Sequence, residues 1–447
     1  MKTIAAISTP YGIGGLSVIR VSGEDAFKIS QRVFKSHDGT LLEDMPGYTC
    51  KLGIVYYQNR PIDEVIASVF KSPRSYTGEN IVQLSCHGSM FIAKSVLRSL
   101  LDAGAHMAGP GEFTKRAFLN GKMSLDKAES VMGLISSNYE KSRNISFSAY
   151  CGSLDGKINE IRQILIDILS NLNAEIDYSD EDIPEMSNEE IMSKIHYAKS
   201  EIKKLINSYS VGYIVKNGLR TAIIGAPNVG KSTLMNFLSK REKSIVTDIA
   251  GTTRDAIEEN IIIGDVPLVL IDTAGIRETE DKIEKIGTEK SMEIAKTADL
   301  ILILLDASRK ITDEEIKLIN LLDKKKVIII VNKIDMNSNY KCDFDNPVFI
   351  SAKTGQGTDD LAKRISNFVD FGSCEDENLI ITTERQRDVL VKSLKSLKDI
   401  EDKIGEIPRD ILAEIIKKPL KILSEFSGEN IEKEIVDQIF SKFCVGK

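Results

Sequence analysis

The six cysteines of this 447-residue chain (Cys50, Cys86, Cys151, Cys342, Cys374 and Cys444) form no Cys-x-x-Cys pair, which excludes a zinc ribbon and a thioredoxin-like motif. Thiols scattered through a chain this long read as reduced cysteines of a cytosolic compartment. The apolar run after Met1 is too short for a secretory signal. Leu300–Leu305 and Val327–Val331, the most apolar stretches, are far too short to cross a bilayer. Nor is there an excess of positive charge: 59 Lys and Arg against 66 Asp and Glu give a net charge of −7. Such a chain has no global attraction to phosphate backbones, so any nucleic-acid contact must come from a local patch or a basic partner. What is present is ordinary for a globular protein, 42% hydrophobic and 28% charged. The expectation is a soluble, cytoplasmic protein with no membrane association, of about three domains at roughly 150 residues each.

Three regimes succeed one another. Short β-branched runs (Ile4–Ile7, Leu16–Val21, Gly53–Tyr57, Val65–Phe70, Ile81–Leu84) alternate with helical patterns near Glu24–Phe34 and Met90–Leu101, which predicts an α+β domain. No proline occurs between Pro110 and Pro184, and Leu154, Ile158, Ile161, Leu165, Ile168, Leu172 and Ile176 mark one face of a long amphipathic helix. From Glu175 to Glu190 come eight acids and no Lys or Arg, read as a solvated connection. Residues 218 to about 370 have the strand–helix rhythm of a parallel α/β sheet. Helical spacing then returns at Leu390, Leu394 and Leu397 and at Ile431, Ile435, Ile439 and Phe443. Helices on both sides of an α/β unit suggest a helical domain carrying that unit as an insertion. The predicted fold is therefore multidomain, α/β and α. An N-terminal α+β domain (1–118) precedes a helical domain in two parts (119–215 and 373–447), interrupted by a parallel-rich, Ras-like P-loop domain (216–372).

The inserted unit carries four motifs in order. Gly225-Ala226-Pro227-Asn228-Val229-Gly230-Lys231-Ser232 matches the phosphate-loop pattern, between an apolar strand (Thr221–Ile224) and a helical run (Thr233–Leu238). Its glycines let successive N–H groups turn to phosphate oxygens at a helix N-terminus; Lys231 neutralises the β and γ phosphates and the Ser232 hydroxyl ligates Mg²⁺. Asp272-Thr273-Ala274-Gly275 ends the run Leu268–Ile271, where a carboxylate can hold Mg²⁺ through water and Gly275 can offer its N–H to the γ-phosphate. Between them lies Gly251-Thr252-Thr253-Arg254-Asp255, from which Thr253 is taken by register to complete the Mg²⁺ shell. Asn332-Lys333-Ile334-Asp335 follows the strand Val327–Val331, and the Asp335 carboxylate can accept from guanine N1–H and its exocyclic amine. Adenine would leave that carboxylate unpaired, a penalty that discriminates by about 10⁴ or more. Ser351-Ala352-Lys353 fits the loop that buttresses the base. Together these imply GTP as ligand. The water-orienting Gln that Ras-like enzymes place after the Asp-x-x-Gly motif is missing, with Ile276 in its place. Glu278, Glu280, Asp281 and Glu284 are nearby acids, and the residues alone do not choose among them.

Further motifs resemble those of the MnmE (TrmE) family of tRNA modification GTPases. They are Thr9-Pro10-Tyr11-Gly12-Ile13-Gly14-Gly15 with Ile19–Gly23, Ser75-Tyr76-Thr77-Gly78-Glu79, Pro110-Gly111-Glu112-Phe113-Thr114 with Arg116–Lys122, and Cys444-Val445-Gly446-Lys447. Ile13 and Ser89 depart from the residues usual in that family. The resemblance covers the whole chain and implies a homodimer, formed through an N-terminal domain that binds 5-formyl- or methylene-tetrahydrofolate at Arg20, Glu79, Lys122 and Lys447. It raises Cys444 as a candidate for one-carbon chemistry. In the G domain it implies a K⁺ ion bound by Asn228, Thr247, Ile249 and Thr252 and a water-positioning Glu284, with catalysis shared by Glu284, Lys231 and Thr253. The GTP-binding set then comprises Asn228, Val229, Gly230, Lys231, Ser232, Thr233, the loop Thr247-Asp248-Ile249-Ala250-Gly251-Thr252-Thr253, Asp272, Thr273, Ala274, Gly275, Asn332, Lys333, Asp335, Ser351, Ala352 and Lys353. The implied partners are tRNA and an FAD-dependent MnmG (GidA)-type protein, in a heterotetramer or larger assembly that modifies C5 of wobble uridine. The rival expectation is a GTP-dependent ribosome-assembly switch. Such proteins usually append an RNA-binding domain, and no GXXG loop follows the G domain here.

Overall fold

The computed structural model describes residues 1–177, 185–241, 259–271, 295–337, 340, 344–369 and 376–447. The chain divides into two compact units. The first comprises Met1–Met132, Tyr150–Asp155 and Lys421–Lys447, and the second comprises Gly133–Ala149 and Gly156–Leu420.

The first unit is built on a seven-stranded sheet: β1 (Ile4–Ile7), β2 (Leu16–Ser22), β3 (Phe34–Ser36), β4 (Thr49–Tyr57), β5 (Arg60–Phe70), β6 (Ile81–His87) and β7 (His106–Met107), in spatial order β3-β4-β5-β6-β2-β1-β7. All pairings are antiparallel except that of β1 with β7. Strands alternate their side chains between two faces. The inward residues Ile19, Val21, Val55, Val65, Ala67, Val69, Val82 and Leu84 form one core with Ile29 and Val33 of α1 (Ala26–Val33) and Val96 and Leu100 of α2 (Met90–Asp102). The apolar runs Gly53–Tyr57 and Val65–Phe70 are the carboxyl-terminal parts of longer strands, because the pairing continues into polar amino ends at Thr49–Lys51 and Arg60–Asp63. Two further helices in this unit are α3 (Glu112–Leu119) and the start of α4 (Leu125–Ser136).

The second unit contains a six-stranded sheet of β8 (Leu219–Ile224), β9 (Glu259–Ile263), β10 (Val266–Leu270), β11 (Leu300–Asp306), β12 (Val327–Asn332) and β13 (Val348–Phe349), ordered β13-β12-β11-β8-β10-β9. Only β9 runs antiparallel to its neighbour. Every residue of β11 is buried, as expected of a parallel strand covered on both faces. The helices are α5 (Glu140–Cys151), α6 (Ser153–Asp177), α7 (Asn188–Asn217), α8 (Lys231–Arg241), α9 (Asp313–Leu321), α10 (Thr358–Val369), α11 (Glu384–Glu401), α12 (Arg409–Ser427) and α13 (Lys433–Ser441), some of them in the first unit. The fold class is as expected: an N-terminal α+β part, a largely parallel α/β sheet and helices on either side of it in sequence. The stripe of α6 is buried from Leu154 to Leu172, whereas Ile176 is 40% exposed. Of the stripe expected near α13, Ile431, Ile439 and Phe443 pack in the core with Val436 and Phe440, whereas Ile435 is 41% exposed. Phe440 sits against Phe118 and Phe443, with ring centroids at 6.3 and 4.9 Å, and that packing fixes the rotation of the helix.

Within the second unit α7 passes close to the chain at Ile381. A Cβ at Gly212, in the helix interior, would lie 2.0 Å from the Ile381 carbonyl oxygen. Alanine ordinarily favours a helix over glycine by about 1 kcal/mol. Here Gly212→Ala is expected to lower stability by about 1–3 kcal/mol through overpacking. A thermal midpoint below that of the unmodified protein is the expected reading, and a rise would show that the backbone yields.

Candidate functional site

The phosphate loop begins where β8 ends and runs into α8, at the carboxyl ends of the parallel strands, where open α/β sheets bind their ligands. Asn228 has φ 61° and Gly230 φ 99°, both left-handed. A Cβ at Gly230 would lie 2.3 Å from Asn332 Nδ2, so both conformation and space require glycine there. Asn332 is 2% exposed. Its amide nitrogen donates to the Val229 carbonyl at 2.8 Å, and its oxygen accepts from Ala352 N–H at 2.9 Å. Next to it, Lys333 donates to the Asn228 carbonyl at 2.6 Å. Lys231 Nζ donates to the Gly225 and Ala226 carbonyls at 2.6 and 3.0 Å, and burial holds its ammonium below its ordinary pKa. Ser232, Thr233, Asp335 and Lys353 are exposed, while Ser351 is buried with its hydroxyl accepting from Thr354 N–H at 3.2 Å.

The structure thus gathers Asn228, Val229, Gly230, Lys231, Ser232 and Thr233 beside Asn332, Lys333, Asp335, Ser351, Ala352 and Lys353. Thr247, Asp248, Ile249, Ala250, Gly251, Thr252, Thr253, Asp272, Thr273, Ala274, Gly275 and Glu284 lie outside the described residues.

A second constellation lies in the first unit. Arg20, on β2, is flanked by the rings of Tyr76 and Phe113, with its guanidinium carbon 5.4 and 5.5 Å from their centroids. With the Gln83 amide turned so that its oxygen faces the guanidinium, that oxygen accepts from Arg20 Nη2 and Nε at 3.0 Å each. Burial pushes the Arg20 pKa below its ordinary value; burial, and then the Arg20 charge, does the same to Lys447. Ser22 shares the Arg20 face of β2, two residues on, and donates to Glu79 Oε2 at 2.7 Å. The Glu79 carboxylate also takes both its oxygens to Arg116 Nη1 at 3.2 Å, and Arg116 Nη2 reaches Glu112 at 2.8 Å. Lys122, exposed, packs its stem near Gly78 and donates to the Pro73 carbonyl at 3.0 Å.

The tail is hydrogen-bonded to residues beside this constellation. Gly111 N–H donates to the Cys444 carbonyl at 3.2 Å, Phe113 N–H to the Lys447 main-chain oxygen at 3.1 Å, and Ser8 Oγ to the Gly446 carbonyl at 3.0 Å. Cys444 itself is exposed. Arg20, Glu79, Lys122 and Lys447 are therefore gathered within one unit. Tyr76, Phe113, Gln83 and Arg116 are neighbours that spacing did not mark out, although Tyr76, Phe113 and Arg116 lie inside the quoted motifs.

A glycine-rich loop between a parallel strand and a helix, stitched to an Asn-Lys-x-Asp loop, defines a P-loop GTPase, a GTP hydrolase. Two family models match: the MnmE helical domain over residues 125–444 and the GTP-binding protein TrmE N-terminus over residues 3–122. Proteins described as tRNA modification GTPase MnmE are similar along the whole chain. That of Lactobacillus gasseri is 41% identical, covering 100% of this chain and 98% of its own. That of Alkaliphilus oremlandii is 39% identical, covering 100% and 99%. The chain belongs to the MnmE (TrmE) family. Among solved structures, Aquifex aeolicus Era aligns at 28% identity and TM-score 0.26 over 40% of this chain and 66% of its own. The G domain of the T. maritima FeoB iron transporter aligns at 24% and 0.24 over 34% and 98%.

Asn332→Ala would orphan the Val229 carbonyl and the Ala352 N–H. Each unsatisfied group costs about 1–3 kcal/mol. Faster amide exchange in the phosphate loop and in residues 351–355, relative to β1–β6, is the expected outcome by hydrogen–deuterium exchange. Unchanged protection there would show that the two loops hold without the amide.

Proposed function

We propose that this chain is a K⁺-activated GTPase acting in tRNA modification. With an FAD-dependent partner of the MnmG type it installs an aminomethyl or carboxymethylaminomethyl group at C5 of the wobble uridine of certain tRNAs. The observation that carries the one-carbon part is the Arg20 cleft, a desolvated guanidinium between two aromatic rings with Glu79 and Lys447 alongside. Arg20, Lys122 and Lys447 offer cations to folate carboxylates. Glu79 is an acceptor-only group suited to the amino and ring N–H donors of a pterin. Bound there, 5-formyl- or methylene-tetrahydrofolate would supply the one-carbon unit. Arg116 and Ser22 hold the Glu79 carboxylate in place by hydrogen bonds, and Cys444 is an exposed thiol.

In the G domain Lys231 would neutralise the β and γ phosphates, Ser232 and Thr253 would hold Mg²⁺, and Asn228 with Thr247, Ile249 and Thr252 would hold K⁺. Held there, the cations would supply positive charge to the transition state, and Glu284 would orient the attacking water in place of the missing Gln. Hydrolysis drives association and release of G domains and does not transfer the carbon. The working protein is a homodimer through residues 1–118, with residues 119–215 and 373–447 as the helical domain and 216–372 as the G domain, in the cytoplasm. No helix among the described residues is long and apolar enough to cross a membrane.

Titration calorimetry of 5-formyl-tetrahydrofolate into the full chain tests the reading. Micromolar binding, about −8 kcal/mol, that disappears in Arg20→Ala is expected; absence of binding by the unmodified protein would remove folate from the account. For the cation, GTP turnover is expected to be faster in KCl than in NaCl, with the difference lost in Asn228→Ala. Equal rates in both salts would set K⁺ activation aside.

A further inference from the structure

Asp306 closes β11, and its side chain is 7% exposed. Burial alone would raise its pKa, but the bonds from Lys333 and Ser308 outweigh that and hold the carboxyl below its usual range. Oδ1 accepts from Ser308 N–H at 2.8 Å and Ser308 Oγ at 2.6 Å, and Oδ2 accepts from Lys333 Nζ at 2.7 Å. The nearby Arg309 is engaged by Glu315 at 2.6 and 3.0 Å, so it is Lys333 that meets the buried charge. Lys333 is itself held unusually: its backbone is left-handed, φ 66°, and its ammonium also donates to the Asn228 carbonyl of the phosphate loop.

We infer that Asp306 is a positioning residue for guanine-nucleotide binding, acting through Lys333. Anchored at its tip by a buried carboxylate and a loop carbonyl, the four-carbon stem of Lys333 lies stretched from β12 toward the phosphate loop. A fixed apolar stem beside Asp335 is a surface on which a purine ring can stack. A free lysine would have to be ordered when the nucleotide arrives, and immobilising one rotamer-rich side chain costs about 0.5–1.5 kcal/mol of affinity, roughly two- to tenfold. Asp306 meets that cost in the folded protein before ligand binds. The inference rests on the assignment of Asn332–Asp335 to guanine recognition.

The test is displacement of a fluorescent GDP analogue from the full-length protein by GDP and by IDP, in Asp306→Asn, Lys333→Met and the double variant. Asp306→Asn is expected to weaken both nucleotides by the same two- to tenfold factor, because stacking does not read the 2-amino group that distinguishes them. The double variant is expected to bind no worse than Lys333→Met alone. Losses that multiply in the double variant, or unchanged affinity in Asp306→Asn, would overturn the inference. If Asp306→Asn does not fold by circular dichroism, Ser308→Ala takes its place, removing one donor while keeping the charge. Its smaller loss must vanish in the Lys333→Met background, and a loss that persists there counts against the inference. Asp335→Asn serves as the control and should shift preference from GDP toward XDP. Failure of that shift would overturn the guanine assignment itself and leave the Asp306 result to be read separately.

Discussion

The Asn332 amide spans two loops that the sheet keeps apart. The phosphate loop leaves β8, the Asn-Lys-x-Asp loop leaves β12, and β11 lies between those strands. A buried amide that donates to Val229 and accepts from Ala352 closes that gap. Its neighbour Lys333 takes the preceding carbonyl, Asn228. A trans peptide points its carbonyl and the following N–H in opposite directions. Holding the carbonyls of residues 228 and 229 from the base side therefore turns the N–H groups of Val229 and Gly230 the other way, as donors for an anion. The arrangement of the phosphate loop is thus set partly by residues a hundred positions downstream. A sheet that lost the register of β12 against β11 would lose the loop geometry too.

The N-terminal cleft solves a different problem, that of keeping cations in a partly dry place. Arg20 is accommodated by two ring faces and a side-chain amide in place of a carboxylate. The carboxylate that could have neutralised it, Glu79, is drawn instead to Arg116 and Ser22. Arg20 and Glu79 are thus each satisfied by partners of their own.

How far the sequence reveals this depends on the range of the interaction. Parallel strands buried on both faces are continuous apolar runs, so Leu300–Leu305 and Val327–Val331 are legible at sight, and the phosphate loop between strand and helix with them. The polar ends of β4 and β5 are not, because strand pairing rather than side-chain pattern extends them. The inward place of Phe440 in α13 escapes periodicity because it comes from ring packing against Phe118, and Ile435 is left outward. Arg20 read by itself is a solvated strand-end charge; the rings that enclose it come from distant segments. Asp306 carries no local signal at all, since its meaning depends on a lysine that only the β11–β12 register brings alongside.

The attachment of residues 444–447 to β1 and α3 has a consequence for synthesis. Ser8 and Gly446 are 438 positions apart and share a hydrogen bond. The sheet of the first unit can pair early, since β4, β5 and β6 follow one another and pair as neighbours and all seven strands lie within the first 107 residues, and domains tend to form in the order they are made. The contacts with the tail cannot: Phe113 and Gly111 wait for partners that reach the ribosome exit only after the entire nucleotide-binding sheet. A nascent chain therefore carries a paired sheet that still lacks its carboxyl-terminal contacts, and those contacts form only after the strands of the second sheet have been made.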